Sequence, residues 1–282
     1  MRCYTSRAMH RAKLHKYRNL LNYRRKRRGF NLLHHVSVQL VLPIVVIFIA
    51  IVAATGTFLM PSFDGINFHL LMKGLGASTL RLLISYAISL VLAFPLALLA
   101  ERSRILEAIF LPIYDVLESV PVLAFFPVII LFFVRYDQLE AAAILIIVLN
   151  MLWNIVFNVV GGLKLIPKDI HSAATIFGYK GFAKFRFILL PALFPSIVTG
   201  SILALAEGWN MLIVAEVLHA YVPQTAHIAD LFGIGSLLVA AASVGNTATF
   251  LAAAGIIVIA VSVINLGLWQ PLLARSERYK FE

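Results

Sequence analysis

The chain has 282 residues, of which 61% are hydrophobic and only 13% are charged. A soluble globular domain, a disordered protein and a fibrous repeat are excluded, because such a chain has too little polar surface to cover itself in water. The formal net charge is +11, and a single cysteine, Cys3, excludes a disulfide framework and a cysteine-based metal cluster. The composition predicts a polytopic membrane protein.

Residues 1–35 form a basic tail with 11 Lys or Arg residues and no acid, whereas the chain from residue 36 onward is electrically neutral. Nucleic-acid recognition needs a basic surface on a folded domain, so no nucleic-acid partner is expected. The tail either lies against anionic lipids of the cytoplasmic leaflet or is a solvated topogenic signal. It is too long for the basic region of a cleaved signal peptide.

Six segments of residues 36–282 are apolar enough to be membrane spans, for which a helix needs about 20 residues. The third is short and contains Pro121 and Pro127. The spans are predicted at residues 36–59, 75–100, 119–134, 139–163, 187–218 and 247–273. The predicted fold class is therefore all-α, a polytopic membrane protein with six transmembrane helices in one transmembrane domain.

The distribution of Lys and Arg predicts the orientation of these spans. With the N-terminus in the cytoplasm, the inside segments hold 21 bases and the outside segments hold 3. Positive charge concentrates on the cytoplasmic side of membrane proteins. Both termini are thus expected in the cytoplasm, and the segments 101–118 and 164–186 are expected to be cytoplasmic loops.

The loop of about residues 165–187 does not have the composition of a passive linker. Pro167 and Asp169 suit the first turn of a helix, and Gly178 suits a left-handed C-terminal stop. The apolar residues between them recur at helical spacing on one face: Ile170, Ala173, Ala174 and Phe177. We interpret the segment as a short surface helix that docks another protein, with an interfacial helix resting on lipid as the alternative.

The same segment resembles the signature of ABC-transporter inner-membrane permeases, which reads Glu-Ala-Ala, three residues, Gly, nine residues, Ile, one residue, Leu-Pro. Every spacing matches, and Ser172 stands where the family usually has Glu. The matching residues are Ser172, Ala173, Ala174, Gly178, Ile188, Leu190 and Pro191. The resemblance to nitrate-, sulfonate- and taurine-type importer permeases extends over roughly residues 78–279.

The resemblance implies how the molecule would work. Two permease subunits would form the solute pathway, two cytoplasmic ATPase subunits would bind ATP and Mg²⁺, and an extracytoplasmic binding protein would deliver a small polar or anionic solute. The second permease would be a copy of this chain or a different one. The chain itself would be non-catalytic, in a prokaryotic inner membrane. The sequence also has no Gly-x4-Gly-Lys-Ser/Thr phosphate loop, so no cofactor is expected in this chain.

Polar residues deep in apolar spans are the candidates for the pathway, because they are costly there and usually face a bundle interior. Glu207 is flanked by Gly208, Trp209 and Asn210, and Glu216 lies near the outer end of the same span. Asn150, Trp153, Asn154 and Asn158 recur at helical spacing on the fourth span. A structural pair for Glu207, and hydrogen bonding between spans for the asparagines, are the alternatives.

Other classes of protein fit the sequence less well. His219, His227 and Asp230 in the outer loop match no metal-ligand spacing, so no metal site is predicted. An intramembrane protease needs a histidine within a span, and the predicted spans contain none. A secondary carrier or channel that works without an ATPase would explain the hydrophobicity but not the cytoplasmic signature, and is the alternative function.

Overall fold

The computed structural model describes residues 66–101, 103–219 and 229–279, which form helices and turns and contain no β-strand. The α-helices are α1 (Phe68–Glu101), α2 (Arg104–Ser119), α3 (Phe126–Val134), α4 (Leu139–Leu165), α5 (Lys168–Ile176), α6 (Gly181–Lys184), α7 (Leu190–Glu216), α8 (Ile234–Ser243), α9 (Thr247–Ile264) and α10 (Gln270–Ser276).

Four helices of this part of the chain are long and apolar enough to cross a membrane: Phe68–Ala100, Leu139–Leu165, Gly181–Glu216 and Thr247–Tyr279. They coincide with the predicted second, fourth, fifth and sixth spans. The predicted first span, at 36–59, lies outside the described residues, as does the basic tail.

The predicted third span, 119–134, corresponds to the second of two helical arms. Residues Ile105–Ser119 and Val122–Val134 form two helical arms that are bent by 75°. Pro121 lies at the break, and a proline disfavours the α conformation of the residue before it. The preceding segment 101–118, interpreted as a loop, is largely helical because Ser103 caps α2 by accepting a hydrogen bond from Leu106 N–H at 3.1 Å.

The core of the described region lies around α4, which packs most extensively against α7 and then against α1. Fully buried Ile146, Met151 and Ile155 occupy the middle of α4. The opposite case is α9, whose most apolar stretch has almost no fully buried residue within this chain and is mostly half-buried. In a membrane, that surface would face lipid or another chain.

Two of the long helices contain a π-turn near one end. In the first, Phe185–Leu189, the Leu190 N–H donates to the Phe185 carbonyl. In the second, Asn265–Trp269, Gln270 N–H donates to the Asn265 carbonyl. A proline follows each turn after one further residue, Pro191 and Pro271. Since proline cannot donate a backbone hydrogen bond, a local change in the helical hydrogen-bond pattern is expected at these positions.

The segment interpreted as an outer loop, 219–246, contains the short helix α8. Its ten residues are apolar, but they are too few to span a bilayer. Ser236 caps the first turn, because its hydroxyl accepts from Gly233 N–H at 3.2 Å. Helix α8 packs on α1, α7 and α9.

Candidate functional site

The segment between α4 and α7 folds as a capped helix, as its sequence predicts. Helix α5 ends in a left-handed residue, Gly178, with φ of +76°. Tyr179 N–H donates to the Ala174 carbonyl at 2.9 Å, and Gly178 N–H donates to the Thr175 carbonyl at 3.1 Å. These two bonds form a Schellman motif, which satisfies the carbonyls left free at a helix end.

The side chains of α5 divide between two environments. Ala174 is 2% exposed, and Ile170 packs against the main hydrophobic core. Phe177, predicted on the same face, is 78% exposed, and Ile176 beside it is 82% exposed. The small residues therefore pack the helix against its own chain. The carboxyl-terminal turn carries Phe177 away from the core. The apolar surface open to a partner is formed by Ile176 and Phe177.

More exposed apolar side chains surround this turn. Phe182 and Phe187 are exposed, as are the basic residues Lys180 and Arg186. Phe185 anchors the segment instead, since its ring packs edge-on against Phe94 at 5.6 Å. Of the remaining signature residues, Ser172 is exposed, and Ala173, Leu190 and Pro191 are half-buried.

Four of the predicted pathway residues lie on one side of the packed pair α4 and α7. Asn150 Nδ2 donates to the Glu207 backbone carbonyl at 3.2 Å, which joins the two helices. Asn154 lies one turn along α4 and is half-buried, and Asn210 lies one turn beyond Glu207 and is exposed. Thr199 is exposed on α7, eleven residues or about three helical turns before Asn210. We call Asn150, Asn154, Thr199, Glu207 and Asn210 the polar stripe.

Glu207 is the charged member of the polar stripe. Its side chain is exposed, and among the described residues no ion pair or hydrogen bond engages its carboxylate. Trp209, also predicted as a pathway residue, is 7% exposed and packs in the core. Adjacent helix positions point in different directions, so Trp209 is separated from the stripe that holds Glu207 and Asn210.

Glu216 has a different environment from Glu207, although both are on α7. Its side chain is fully buried and accepts hydrogen bonds from Ser78 Oγ at 2.5 Å and from Gly235 N–H at 2.8 Å. It also pairs with the Arg81 guanidinium. Because buried charges are tolerated only when paired and hydrogen-bonded, Glu216 belongs to an internal network and lines no open surface.

Arg81 is the centre of this network and is 4% exposed. Its Nε and Nη2 donate to the two oxygens of Glu140, each at 2.8 Å, while Nη1 donates to Glu216. Planar guanidinium groups are suited to such bidentate pairing. The network of Ser78, Arg81, Glu140 and Glu216 thus connects α1, the start of α4 and the end of α7.

Helix α8 is attached to the network by its first residues. Ile234 N–H donates to Ser78 Oγ at 2.9 Å, and the Arg81 guanidinium donates to the Phe232 carbonyl at 3.4 Å. A Cβ at Gly233 would collide with the Glu216 carboxylate, so the close approach requires glycine. Neither Glu140 nor Ser78 is among the predicted site residues. The sequence does indicate that Arg81 and Glu216 need polar partners, because both are charged residues in apolar segments.

The residues considered for a metal site form a local contact. His219 Nδ1 lies 2.7 Å from Asp230 Oδ1, and His219 N–H donates to the same oxygen at 3.1 Å. His227 lies outside the described residues. No cluster of three metal-ligand side chains occurs in the part of the chain that the structure describes.

Comparison with known proteins places these features in a family. The family model for the binding-protein-dependent transport system inner membrane component matches residues 89–279. The matched region contains α5, every member of the polar stripe, and Glu140 and Glu216 of the network, whereas Ser78 and Arg81 lie before it.

Curated relatives are permease proteins of importers. The chain is 29% identical over 162 residues to the nitrate import permease protein NrtB of Leptolyngbya laminosa, covering 57% of each chain. It is 28% identical to the bicarbonate transport system permease protein CmpB of Synechococcus elongatus, over 50% of each chain. The taurine transport system permease protein TauC of Escherichia coli is 26% identical, over 70% of this chain and 67% of the relative. The chain thus spans about half the length of the first two relatives.

The fold is that of solved ABC-transporter chains. An inward-facing structure of the MetNI methionine ABC transporter matches with a TM-score of 0.58 and 17% identity, over 76% of this chain and 98% of the other. An amino acid ABC transporter crystallised with histidines matches with a TM-score of 0.52. Because its family model covers most of the sequence, the chain belongs to the binding-protein-dependent transport system inner membrane components.

Proposed function

We propose that this chain is the membrane permease subunit of an ATP-driven importer for a small polar solute. Two such permease subunits form the pathway, two cytoplasmic ATPase subunits bind ATP and Mg²⁺, and an extracytoplasmic binding protein delivers the solute. Family membership and the permease names of the relatives support this assignment. The domain has six spans with both termini in the cytoplasm, in agreement with the distribution of Lys and Arg.

The observation that carries the proposal is the exposed apolar turn at the end of α5. Ile176 and Phe177 are each more than three-quarters exposed, although a cytoplasmic surface in contact with water gains nothing from them. The Schellman motif fixes the turn, and Ala174 fixes the helix to its own chain. A rigid helix with an apolar tip is suited to receive a movement of an ATPase subunit and to pass it to α4 and α7.

ATP is expected to shift the permease between conformations through the contacts that the ATPase subunits make with it. Nucleotide-driven closure of the ATPase subunits can change the permease only if it contacts one conformation better than another. The residues of α5 and of the start of α7 divide into two groups by burial. Ala173, Ala174, Leu190 and Pro191 transmit the movement, and Ile176 and Phe177 contact the ATPase.

The double substitution Ile176→Ala with Phe177→Ala tests this assignment. Because anchoring apolar side chains at an interface each contribute on the order of 1–2 kcal/mol, we expect at least a tenfold weaker association of the ATPase with the permease. The measurement is co-purification of the ATPase with the tagged permease from membranes, followed by ATP-driven uptake in vesicles.

Val263→Ala is the matched control, since Val263 is also an exposed apolar residue but lies within a predicted span on α9. It should leave ATPase association unchanged. Undiminished association in the double variant would contradict the docking role of α5. Ion-gradient-driven uptake by the permease alone would contradict the importer assignment altogether and favour a secondary carrier.

A further inference from the structure

The unpaired carboxylate of Glu207 carries an inference about the charge of the solute, which rests on the proposed function. Glu207 lies nine residues before Glu216 on α7, roughly 13.5 Å along a helix axis. Glu216 marks the Arg81 network at the predicted outer end of the span, so Glu207 lies well inside the apolar segment. A carboxylate at this depth is costly unless water or a partner solvates it.

Contact with lipid does not explain the exposure of Glu207. A charged side chain costs several kcal/mol in the hydrocarbon and nearly always faces a bundle interior or a water-filled cavity. Two polar groups lie next to Glu207 on the same side, since Asn150 bonds to its carbonyl and Asn210 is exposed one turn away, and the apolar neighbour Leu203 is also exposed. The polar stripe therefore faces water.

No base within the predicted spans neutralises Glu207. In the sequence of those spans, 36–59, 75–100, 119–134, 139–163, 187–218 and 247–273, Arg81 is the only base, and both of its hydrogen-bonding edges are occupied by Glu216 and Glu140. The only acids in these segments besides Glu207 are those two. The remaining members of the stripe are amides and a hydroxyl, which carry no net charge.

We propose that Glu207 makes the pathway electronegative and that the transported solute carries a positively charged group, such as an ammonium. Likeness to nitrate and bicarbonate permeases alone would suggest an anion. A carboxylate on the pathway wall repels a free anion and attracts a cation, and inside a cleft with low-dielectric walls this effect is larger than in open water. A zwitterion can approach with its positive end.

Thiol reagents of opposite charge measure this potential without knowledge of the solute. In a Cys3→Ser background, which removes the native thiol, Asn210→Cys introduces a thiol one turn from Glu207. A cationic and an anionic methanethiosulfonate are applied to opened membrane vesicles that contain the complete transporter. We expect the cationic reagent to react about tenfold faster, after division by the ratio for a free thiol.

A second variant assigns the effect to Glu207. Adding Glu207→Gln to Asn210→Cys should return the rate ratio to the free-thiol value. Thr199→Cys lies eight residues away from Glu207 on the same stripe, about 12 Å along the helix. Its ratio should respond less to Glu207→Gln, because that distance exceeds the screening length of about 8 Å at physiological salt.

Val263→Cys is the control for lipid exposure and should react with neither reagent. The proposal is overturned if the thiol at position 210 also reacts with neither, if the anionic reagent reacts as fast as the cationic one, or if Glu207→Gln leaves the ratio unchanged. None of these rates depends on ATP. Failure of the ATPase-docking test would therefore refute the proposed coupling without affecting this result, and the reverse also holds.

Discussion

The two ends of the long helix Gly181–Glu216 are stabilised in opposite ways. At the Glu216 end, a fully buried carboxylate is held by Arg81, Ser78 and the backbone of α8. At the Gly181 end, Phe182 and Phe187 are exposed, and α5 beside them exposes Ile176 and Phe177. The first end satisfies its polar groups within the chain, whereas the second leaves apolar surface uncovered.

This difference indicates which end can change partners. Buried ion pairs are costly to open, since each charge would lose its partner before it regained water. Exposed apolar side chains can be covered and uncovered without such a loss. We infer that the Glu216 end moves as one unit with α1 and α8, and that the Gly181 end is the one that responds to another protein.

We expect the largest loss of stability from Glu216→Ala, at the buried end of the helix. It leaves buried Arg81 with Glu140 as its only charged partner and leaves Gly235 N–H without its acceptor. Removing one partner of a buried pair costs about 3–5 kcal/mol, so we expect a large loss of folded protein. Thermal unfolding in detergent, followed by size-exclusion chromatography, measures this loss. Glu207→Ala on the same helix is the control and should leave the unfolding temperature nearly unchanged. Equal stability of the two variants would disprove the role of the network.

Gly178→Ala perturbs the other end by a smaller amount. An alanine at φ of +76° is strained by about 1–2 kcal/mol, and the strain acts on the Schellman motif of α5 rather than on the core. Amide hydrogen exchange in residues 168–179 should become about tenfold faster while the rest of the chain is unaffected. Gly161→Ala is the control, because Gly161 is helical and a Cβ there meets no atom within 4 Å. A global loss of protection in Gly178→Ala would contradict the local character of this end.

Glu140→Gln tests how much the exposed ion pair of the network contributes to stability relative to the buried one. Glu140 is 61% exposed, so its pair with Arg81 is screened by water, and Arg81 keeps Glu216. Exposed ion pairs contribute at most about 1 kcal/mol, and the unfolding temperature should fall only slightly. A loss as large as that of Glu216→Ala would show that the exposed half of the network is the important one.

The long helices and the capped helix α5 could be predicted from the sequence because their causes are local. Long apolar segments specify membrane helices, and the proline at the start and the glycine at the end of α5 set its limits. The 75° bend was missed, since Pro121 predicts a possible break but not its angle. Helix α8 was missed because its ten residues are too few to be recognised as a span.

Whether an individual side chain is buried or exposed depends on contacts with residues that are distant in sequence. Ala174 and Phe177 share a face by periodicity, yet one is buried and the other is exposed, because the helix turns to its left-handed end at this point. Glu207 and Glu216 are both acids in one apolar span. Only the positions of Arg81 and Ser78, more than 120 residues earlier, distinguish the buried one.

The two π-turns have a geometric consequence for the helices that contain them. Each turn holds one residue more than an α-helical turn would, and one residue corresponds to a rotation of about 100°. Side chains on the two sides of a π-turn therefore follow helical wheels that are out of phase by a little more than a quarter turn. Deleting one residue from Phe185–Leu189 or Asn265–Trp269 would restore a regular helix. Side chains beyond the turn would then keep nearly their present azimuths, because the turn already absorbs the extra residue, whereas a deletion in the regular part of the helix would rotate them by about 100°.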